Sequence, residues 1–334
     1  MTMGTKLAPD LNIEQVIQIE LPTRFAVGPV NVYLIQSEKL TLVDTSPKHE
    51  ENWELLNQAL REHGYSIQDI EQVVLTHHHA DHVGLLERIL EANPVPVYGH
   101  PNCRPWIRQD PEFYQWHQAF FAKFYQELGV PFKLLREFQA FQKVMEKVSC
   151  RADLTGELIE GTPIPGLPEW RIIETKGHAQ SHISLFRERD GLLIAGDHVI
   201  KHISSNALLE PPQRPGAPRV KPLLQYMENL RKCAELPVTL TLSGHGQAVK
   251  DLPALVEQRL EKIEERAGRI KEILAEGAET AFEVVQALFP DKYEKEIGLT
   301  VSEVVGHLDL LLARGEIREE KKNGILIYRL AEDV

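Results

Sequence analysis

Short apolar runs ending in histidine or aspartate, alternating with amphipathic helical stretches, predict a mixed α/β (α+β) fold. Two other stretches stand out: an aromatic-dense helical segment over 103–150 and a helix-rich tail after 250. The 334 residues suit a large domain over 1–250 and a smaller one over 251–334. A hydrophobic fraction of 43% and a charged fraction of 26% allow a substantial core under a wet surface.

The elements follow in order. Residues 14–21 partly alternate, and 30–35 and 40–43 are strand-like. A helix is expected over about 50–63, then an apolar strand over 72–75 and a helical pattern over 81–90. The run 94–99 reads as a further short strand. Later strands are expected near 170–175, 183–187, 192–196 and 238–242. Residues 211–218 form a proline-rich loop, which proline fixes in an extended path. The tail reads as a long charged helix over 252–276, helices near 280–288 and 300–314, and a hairpin. In that hairpin, 316–319 and 325–329 flank Lys322-Asn323-Gly324.

The most informative stretch is Thr76-His77-His78-His79-Ala80-Asp81-His82. Four residues of metal-ligand type, His77, His79, Asp81 and His82, fall directly after an apolar strand. So many ionisable groups together without a cation would repel one another or be desolvated at high cost. In an extended segment His77 and His79 share a face and His78 points away, so His78 reads as structural. Asp81 and His82 open the following helix, where the dipole favours a negative charge. A strand-to-helix corner can aim two ligands one way and two another, which suits a pair of adjacent metals.

His-x-His-x-Asp-His resembles the signature of the metallo-β-lactamase superfamily, and the rest of that family's pattern follows in order. His178 lies in Thr175-Lys176-Gly177-His178, Asp197 in Ala195-Gly196-Asp197, and His245 in Ser243-Gly244-His245-Gly246. Upstream, Leu42-Val43-Asp44-Thr45 resembles the family's early strand-end aspartate. The resemblance spans roughly 15–250 and implies a four-layer αββα sandwich. It also implies that His77, His79 and His178 hold a first metal, that Asp81, His82 and His245 hold a second, and that Asp197 bridges them. Asp44 would orient ligand groups from behind. Histidine at position 79 departs from the His-x-Glu-x-Asp pattern of the flavodiiron relatives and argues against a diiron redox site.

The remaining histidines carry weaker expectations. His182, four residues after His178, is read as a supporting or packing residue. His198 and His202 follow Asp197 closely; each is either a supporting residue or a contributor to the substrate pocket. His49, His63, His100 and His117 carry no constellation and are expected at the surface or on helices.

Residues 103–150 hold 11 of the chain's 23 aromatics (4 Trp, 8 Tyr and 11 Phe). Much of this segment has helical periodicity, as in Phe113, Trp116, Phe120 and Phe124, and it lies between ligands 82 and 178. It is either a helical pair packed on the core or between two copies of the chain, or a cap forming an apolar wall over the metals. The tail's helices and hairpin resemble the small winged-helix domain of some family members, including a mitochondrial endoribonuclease. Its would-be recognition helix, 300–314, carries Glu303 and Asp309 and a single Arg at its far end. That is a poor groove reader, so the tail is expected to pack or dimerise and to border the site.

The resemblance implies a metal-dependent hydrolase with two divalent ions, zinc foremost and iron or manganese as alternatives. A metal-bound hydroxide would attack an ester, thioester or lactone, with Asp81 hydrogen-bonded to the nucleophile. Two other activities stay open on the same ligands: a ribonuclease, and a mononuclear-iron oxidoreductase of the persulfide-dioxygenase type. The expected partner is a small molecule with an apolar moiety. A net charge of -12 disfavours nucleic acid. Residues 1–10 show no apolar secretory core, no run is long enough to span a bilayer, and three scattered cysteines make no disulfide framework. These features suggest a cytoplasmic enzyme.

Overall fold

The computed structural model describes residues 13–212 and 214–331. The reading of residues 1–10, and Gln213 within the proline-rich loop, lie outside the described residues. A first sheet is built from β1 (Val16–Leu21), β2 (Val30–Ile35), β3 (Thr41–Val43), β4 (Gln72–Val74), β5 (Val97–Gly99) and β6 (Gly156–Glu157), in that spatial order. β1, β2 and β3 pair antiparallel; β3 to β6 pair parallel. The parallel steps need crossovers, which α1 (Glu50–Glu62), α2 (Ala80–Val83) and α3 (Leu86–Ala92) supply. α4 (Arg104–Ile107), α5 (Pro111–Glu127) and α6 (Phe132–Val148) fill the last crossover. A second sheet has the order β10-β9-β8-β7, from β7 (Trp170–Glu174), β8 (Ile183–Arg187), β9 (Leu192–Gly196) and β10 (Leu240–Ser243). α7 (Pro222–Ala234) crosses from β9 to β10.

The period-two alternation of these strands decides the layering. Val43, Val74, Ile172, Ile194 and Leu242 point between the sheets and form one core with Tyr33, Ile35, Ile183 and Leu185. Their neighbours Leu42 and Val73 face the other way and meet Leu56, Leu60, Leu86 and Ile89 of α1 and α3. On the second sheet Ile173, Phe186, Leu193 and Ala195 face α7 and the helices that follow. The result is the four-layer αββα sandwich.

The helical pattern at 81–90 divides into α2 and α3. A side chain on Gly84 would stand 2.4 Å from the backbone nitrogen of Lys48, so the glycine lets the segment after β3 cross tightly over this turn. β6 and α7 are elements the sequence pattern did not single out.

After β10 come α8 (Leu252–Ala275), α9 (Ala281–Leu288), α10 (Ile297–Ala313) and the antiparallel pair β11 (Ile317–Lys322) and β12 (Ile325–Leu330). Asn323 and Gly324 turn the hairpin with φ of 53° and 85°, the two left-handed positions of a type I′ turn. α10 is not a surface helix. Val301, Val304, Val305, Leu308 and Leu311 are buried in one cluster with Phe121 and Tyr125 of α5, Leu134 and Leu135 of α6, and Leu223 and Met227 of α7. A helix buried in this way cannot enter a nucleic-acid groove. Among the described residues, no helix is long and apolar enough to cross a membrane.

Because that core is common to residues before and after 251, its loss should be felt across the chain. All four tryptophans, Trp53, Trp106, Trp116 and Trp170, precede residue 251. Leu308→Ala should cost about 2–5 kcal/mol and should lower the urea midpoint read by tryptophan fluorescence. An unmoved tryptophan transition would mean that residues 252–330 melt separately.

Candidate metal centre

The site grows from the ends of five strands. β3 ends at Asp44, whose φ of 61° lies in the left-handed region that aspartate tolerates. This turns its carboxylate back toward β4. Asp44 Oδ1 accepts from the Thr76 backbone N–H at 2.8 Å, and Oδ2 accepts from the Thr76 hydroxyl at 2.7 Å and meets His82 Nδ1 at 2.8 Å. With its proton given to Asp44, the Thr76 hydroxyl can only accept from His77 Nδ1, 3.0 Å away. The second nitrogens, His77 Nε2 and His82 Nε2, are thereby aimed into the site.

The other imidazoles are held in the same fashion. His178 Nδ1 lies 2.9 Å from the Asn206 carbonyl and 3.0 Å from Ser205 Oγ. His245 Nδ1 lies 2.8 Å from the Pro29 carbonyl. Each oxygen fixes the Nδ1–H and leaves Nε2 free.

Two groups of ligand atoms result. His79 Nδ1 lies 3.0 Å from His77 Nε2 and 2.9 Å from His178 Nε2. His245 Nε2 stands 3.4 Å from Asp81 Oδ2, and His82 Nε2 stands 4.0 Å from the same oxygen. Asp197 lies between the groups: Oδ1 is 3.3 Å from His82 Nε2, and Oδ2 is 3.4 Å from His245 Nε2 and 3.6 Å from His178 Nε2. His77, His79 and His178, then His77, His82 and Asp197, then Asp81, His82 and His245 each bring ligand atoms within 4.8 Å of one another. His82 Nε2, His245 Nε2 and Asp197 Oδ1 are buried without a hydrogen-bond partner among the described residues. Buried polar atoms are normally satisfied, so converging orphans with this donor set fit a cation.

The electrostatics differ between the groups. Burial holds His77, His79 and His178 below the ordinary imidazole value, with neighbouring imidazoles adding to the effect at His77 and His79. Burial also opposes charge on His82 and His245, but the carboxylates around them win. Asp197, Asp44 and Asp81 raise His82 well above the ordinary value, and Asp197 and Asp81 raise His245 to about 10. Asp197 is the reciprocal case: burial would raise it, and His245 and His82 hold it well below the usual carboxylate range. A metal entering the three-histidine group would displace no protons there, whereas one entering beside His82 and His245 would have to displace theirs.

Two sheets must be held in register for these ligands to meet. The Ile183 N–H of β8 donates to the Thr76 carbonyl, and Asn31 of β2 donates through Nδ2 to the Ser243 and Gly246 carbonyls of the His245 loop. A side chain on Gly244 would come within 2.1 Å of Asp197 Oδ1, so only glycine leaves room for that carboxylate.

Residues 26–245 match the family model described as the metallo-beta-lactamase superfamily. This chain belongs to that superfamily. It is a metallo-hydrolase of the metallo-beta-lactamase superfamily. It is 43% identical over 313 residues to a Bacillus subtilis (strain 168) protein named probable metallo-hydrolase YqjP, spanning 92% of this chain and 95% of that protein. It is 23% identical over 283 residues to an Aspergillus fumigatus protein named atrochrysone carboxyl ACP thioesterase, spanning 80% of this chain and 70% of that one. A metallo-beta-lactamase family protein from Thermus thermophilus shares the fold with a TM-score of 0.78 at 22% identity, spanning 95% of this chain and 99% of that one.

The other sequence-read histidines separate clearly in this superfamily member. His182 Nδ1 meets Thr175 Oγ1 at 2.8 Å, and its Nε2 accepts the Asp197 backbone N–H at 3.1 Å, so it holds the chain that carries Asp197. His198 is buried with its ring on Tyr226, 5.2 Å between centroids. His202 is exposed and meets the Val27 carbonyl through Nε2 at 2.9 Å. His78 bonds Ser181 Oγ at 2.8 Å and stacks on Trp106 at 4.2 Å and 9°. His100 and His117, expected at the surface or on helices, are both buried: His100 accepts from the Asn102 N–H, and His117 packs in α5 against Trp106 and Phe121.

Sequence reading passed over Asn31, Thr76, Ser205, Asn206 and Glu210. Only Asn31 carried a signal, a polar residue inside the apolar run Val30–Ile35. Glu210 is buried, accepts the Gln180 N–H at 2.7 Å, and is pushed up to about 7 by burial.

Gly244→Ala should abolish metal retention at the Asp81, His82 and His245 group while leaving a folded protein; two full equivalents of metal bound would refute the steric argument. Metal affinity at that group should rise with pH, by up to roughly tenfold per unit per displaced proton, until the pH reaches the histidine values. Titrations at pH 6.5 and 8.5 should show this, with the three-histidine group changing little. Equal pH dependence at both would show that the carboxylates do not hold protons there.

Proposed function

We propose that this enzyme hydrolyses an ester, thioester or lactone bond in a small molecule that carries an apolar moiety, using two divalent ions, zinc in our reading. His77, His79 and His178 would hold one ion, Asp81, His82 and His245 the other, with Asp197 shared. The carrying observation is the single Asp197 carboxylate, whose two oxygens face ligand nitrogens of both groups at 3.3–3.6 Å. Divalent ions bound there supply Lewis acidity toward a carbonyl oxygen and bring the pKa of water toward neutrality.

The chain's own residues contribute the rest. Of the three site carboxylates Asp81 is the most accessible, at 12% against 8% for Asp197 and 3% for Asp44. It is the one placed to accept a hydrogen bond from an attacking water and to hold that water against the substrate. Asp44 and the Pro29 and Asn206 carbonyls keep the imidazoles oriented through the reaction.

An apolar substrate moiety is supported by the aromatic helices. The stacked pair of His78 and Trp106 carries the aromatic wall up to the ligand turn, with Phe113, Tyr114 and His117 each within 6 Å of Trp106. The similarity to a protein named as a thioesterase points the same way. A nuclease is disfavoured by the acidic chain and the burial of α10. Three cysteines, all buried and unpaired, suit a reducing, cytoplasmic setting.

Asp81→Ala and His79→Ala should each lower kcat/KM on acyl esters or thioesters by at least roughly a hundredfold, with thermal melting still cooperative; parent-like turnover in either would remove the mechanism. Elemental analysis of the unsupplemented protein should find close to two zincs per chain. A single iron would turn the reading to persulfide oxidation.

A further inference from the structure

The segment between β9 and α7 binds the His178 turn along one edge and the C-terminal helix α10 along the other. On the first edge, Ser205 Oγ and the Asn206 carbonyl both meet His178 Nδ1, at 3.0 and 2.9 Å. The Leu208 N–H donates to the His178 carbonyl at 3.4 Å, and Glu210 Oε1 accepts from the Gln180 N–H at 2.7 Å. On the other edge, the Leu209 N–H donates to Ser302 Oγ of α10 at 3.1 Å. The Ser302 hydroxyl proton is already given to the Gly298 carbonyl at 2.7 Å, so its oxygen is fixed as an acceptor. Further along, Arg219 makes a two-pronged pair with Asp309 of α10, at 2.7 and 2.6 Å.

These contacts fall on one face of α10. Gly298, Ser302, Gly306 and Asp309 recur at helical spacing. Gly298 lies against Phe138 of α6 and Gly306 against Leu223 of α7; a side chain on either would stand 2.9 Å from those neighbours. The small residues let α10 come close, and Ser302 then reaches the segment that holds the His178 ring.

We propose that α10 is a positioning element for the metal centre: Ser302, through Leu209, and Glu210, through Gln180, hold the segment that orients His178 and so set the affinity of the His77, His79 and His178 group. Neither side chain is among the grouped metal-ligand atoms. The inference rests on the metal-site reading above, and it gives the C-terminal helices a role in the chemistry without any contact with nucleic acid.

The mechanism is energetic and local. Removing the Ser302 oxygen leaves the Leu209 N–H without its acceptor inside the core. The segment then relaxes, and the two oxygens that fix His178 Nδ1 move with it. Loss of an outer hydrogen-bond partner weakens a metal site by roughly 10–100-fold. Here the partner lies one step further out, so roughly tenfold is expected. The Asp81, His82 and His245 group, held by Asp44 and the Pro29 carbonyl, should be unaffected.

Cobalt titration of the full chain with the visible d–d spectrum as readout tests this independently of activity. Ser302→Ala should weaken cobalt binding at the three-histidine group by roughly tenfold and alter its d–d bands, with the other group unchanged. Thr300→Ala is the control: it deletes a hydroxyl from the same helix that, among the described residues, bonds to the Glu296 and Ile297 carbonyls at α10's own first turn, and it should leave affinity and spectrum as in the parent. Should Ser302→Ala fail to fold, Glu210→Ala should show the same loss, and Glu210→Gln, which keeps an oxygen for the Gln180 N–H, should restore parent affinity. Parent-like cobalt binding in Ser302→Ala, or an equal loss in Thr300→Ala, overturns the positioning role. A parent protein that takes up no cobalt at these histidines would instead overturn the metal-site reading itself.

Discussion

The Asp44 carboxylate accepts three hydrogen bonds at the end of β3, from the Thr76 N–H, the Thr76 hydroxyl and His82 Nδ1, and the metal end of the sandwich is organised around them. One hydroxyl proton committed to Asp44 decides how Thr76 can treat His77, and one imidazole proton committed to Asp44 decides which nitrogen of His82 faces the site. A carboxylate that is 3% exposed would be costly to bury alone. Three donors and a neighbouring imidazole offset that cost. The left-handed backbone at Asp44 is part of the same arrangement, since a β-branched residue there would be strained and could not return its side chain to β4.

Around that anchor the charges are divided. Three imidazoles held below the ordinary value by burial lie beside two that carboxylates raise above it, and Asp197 faces both sets. Desolvation acts the same way on all five rings; the closer carboxylate contacts at His82 and His245 separate them. The orphaned atoms His82 Nε2, His245 Nε2 and Asp197 Oδ1 converge where this division is sharpest. A cation bound there would satisfy them without a further side chain.

The outer layers serve the same end. Residues 103–150 and the helices after 251 bury their apolar faces against each other and against the second sheet, in one continuous cluster. α5 and α6 bring aromatic rings to the ligand turn through Trp106 and His78, and α10 reaches the His178 turn through Ser302. A helix placed as a groove reader would need an exposed basic face. α10 has instead given its surface to packing, with glycines where neighbouring helices come close.

The sequence by itself determined the alternation of strands and helices, the hairpin at Asn323-Gly324 and the corner holding His77, His79, Asp81 and His82, because each depends on residues within a few positions of one another. His178, Asp197 and His245 were legible through the resemblance of their short motifs, in order along the chain, to the superfamily's pattern. That each comes within 4.8 Å of ligand atoms from the 77–82 turn was not, because it depends on two sheets being held in register by Asn31, Ile183 and Gly244. Tertiary structure alone decided which ring nitrogen His82, His178 and His245 turn inward, since the deciding oxygens belong to Asp44, Asn206 and Pro29, from 28 to 216 residues away. It also decided the burial of α10, whose apolar surface has no partner until α5, α6 and α7 are in place. Local propensity is a property of short segments; hydrogen-bond partners and burial are properties of the packed chain, and the site is built from both.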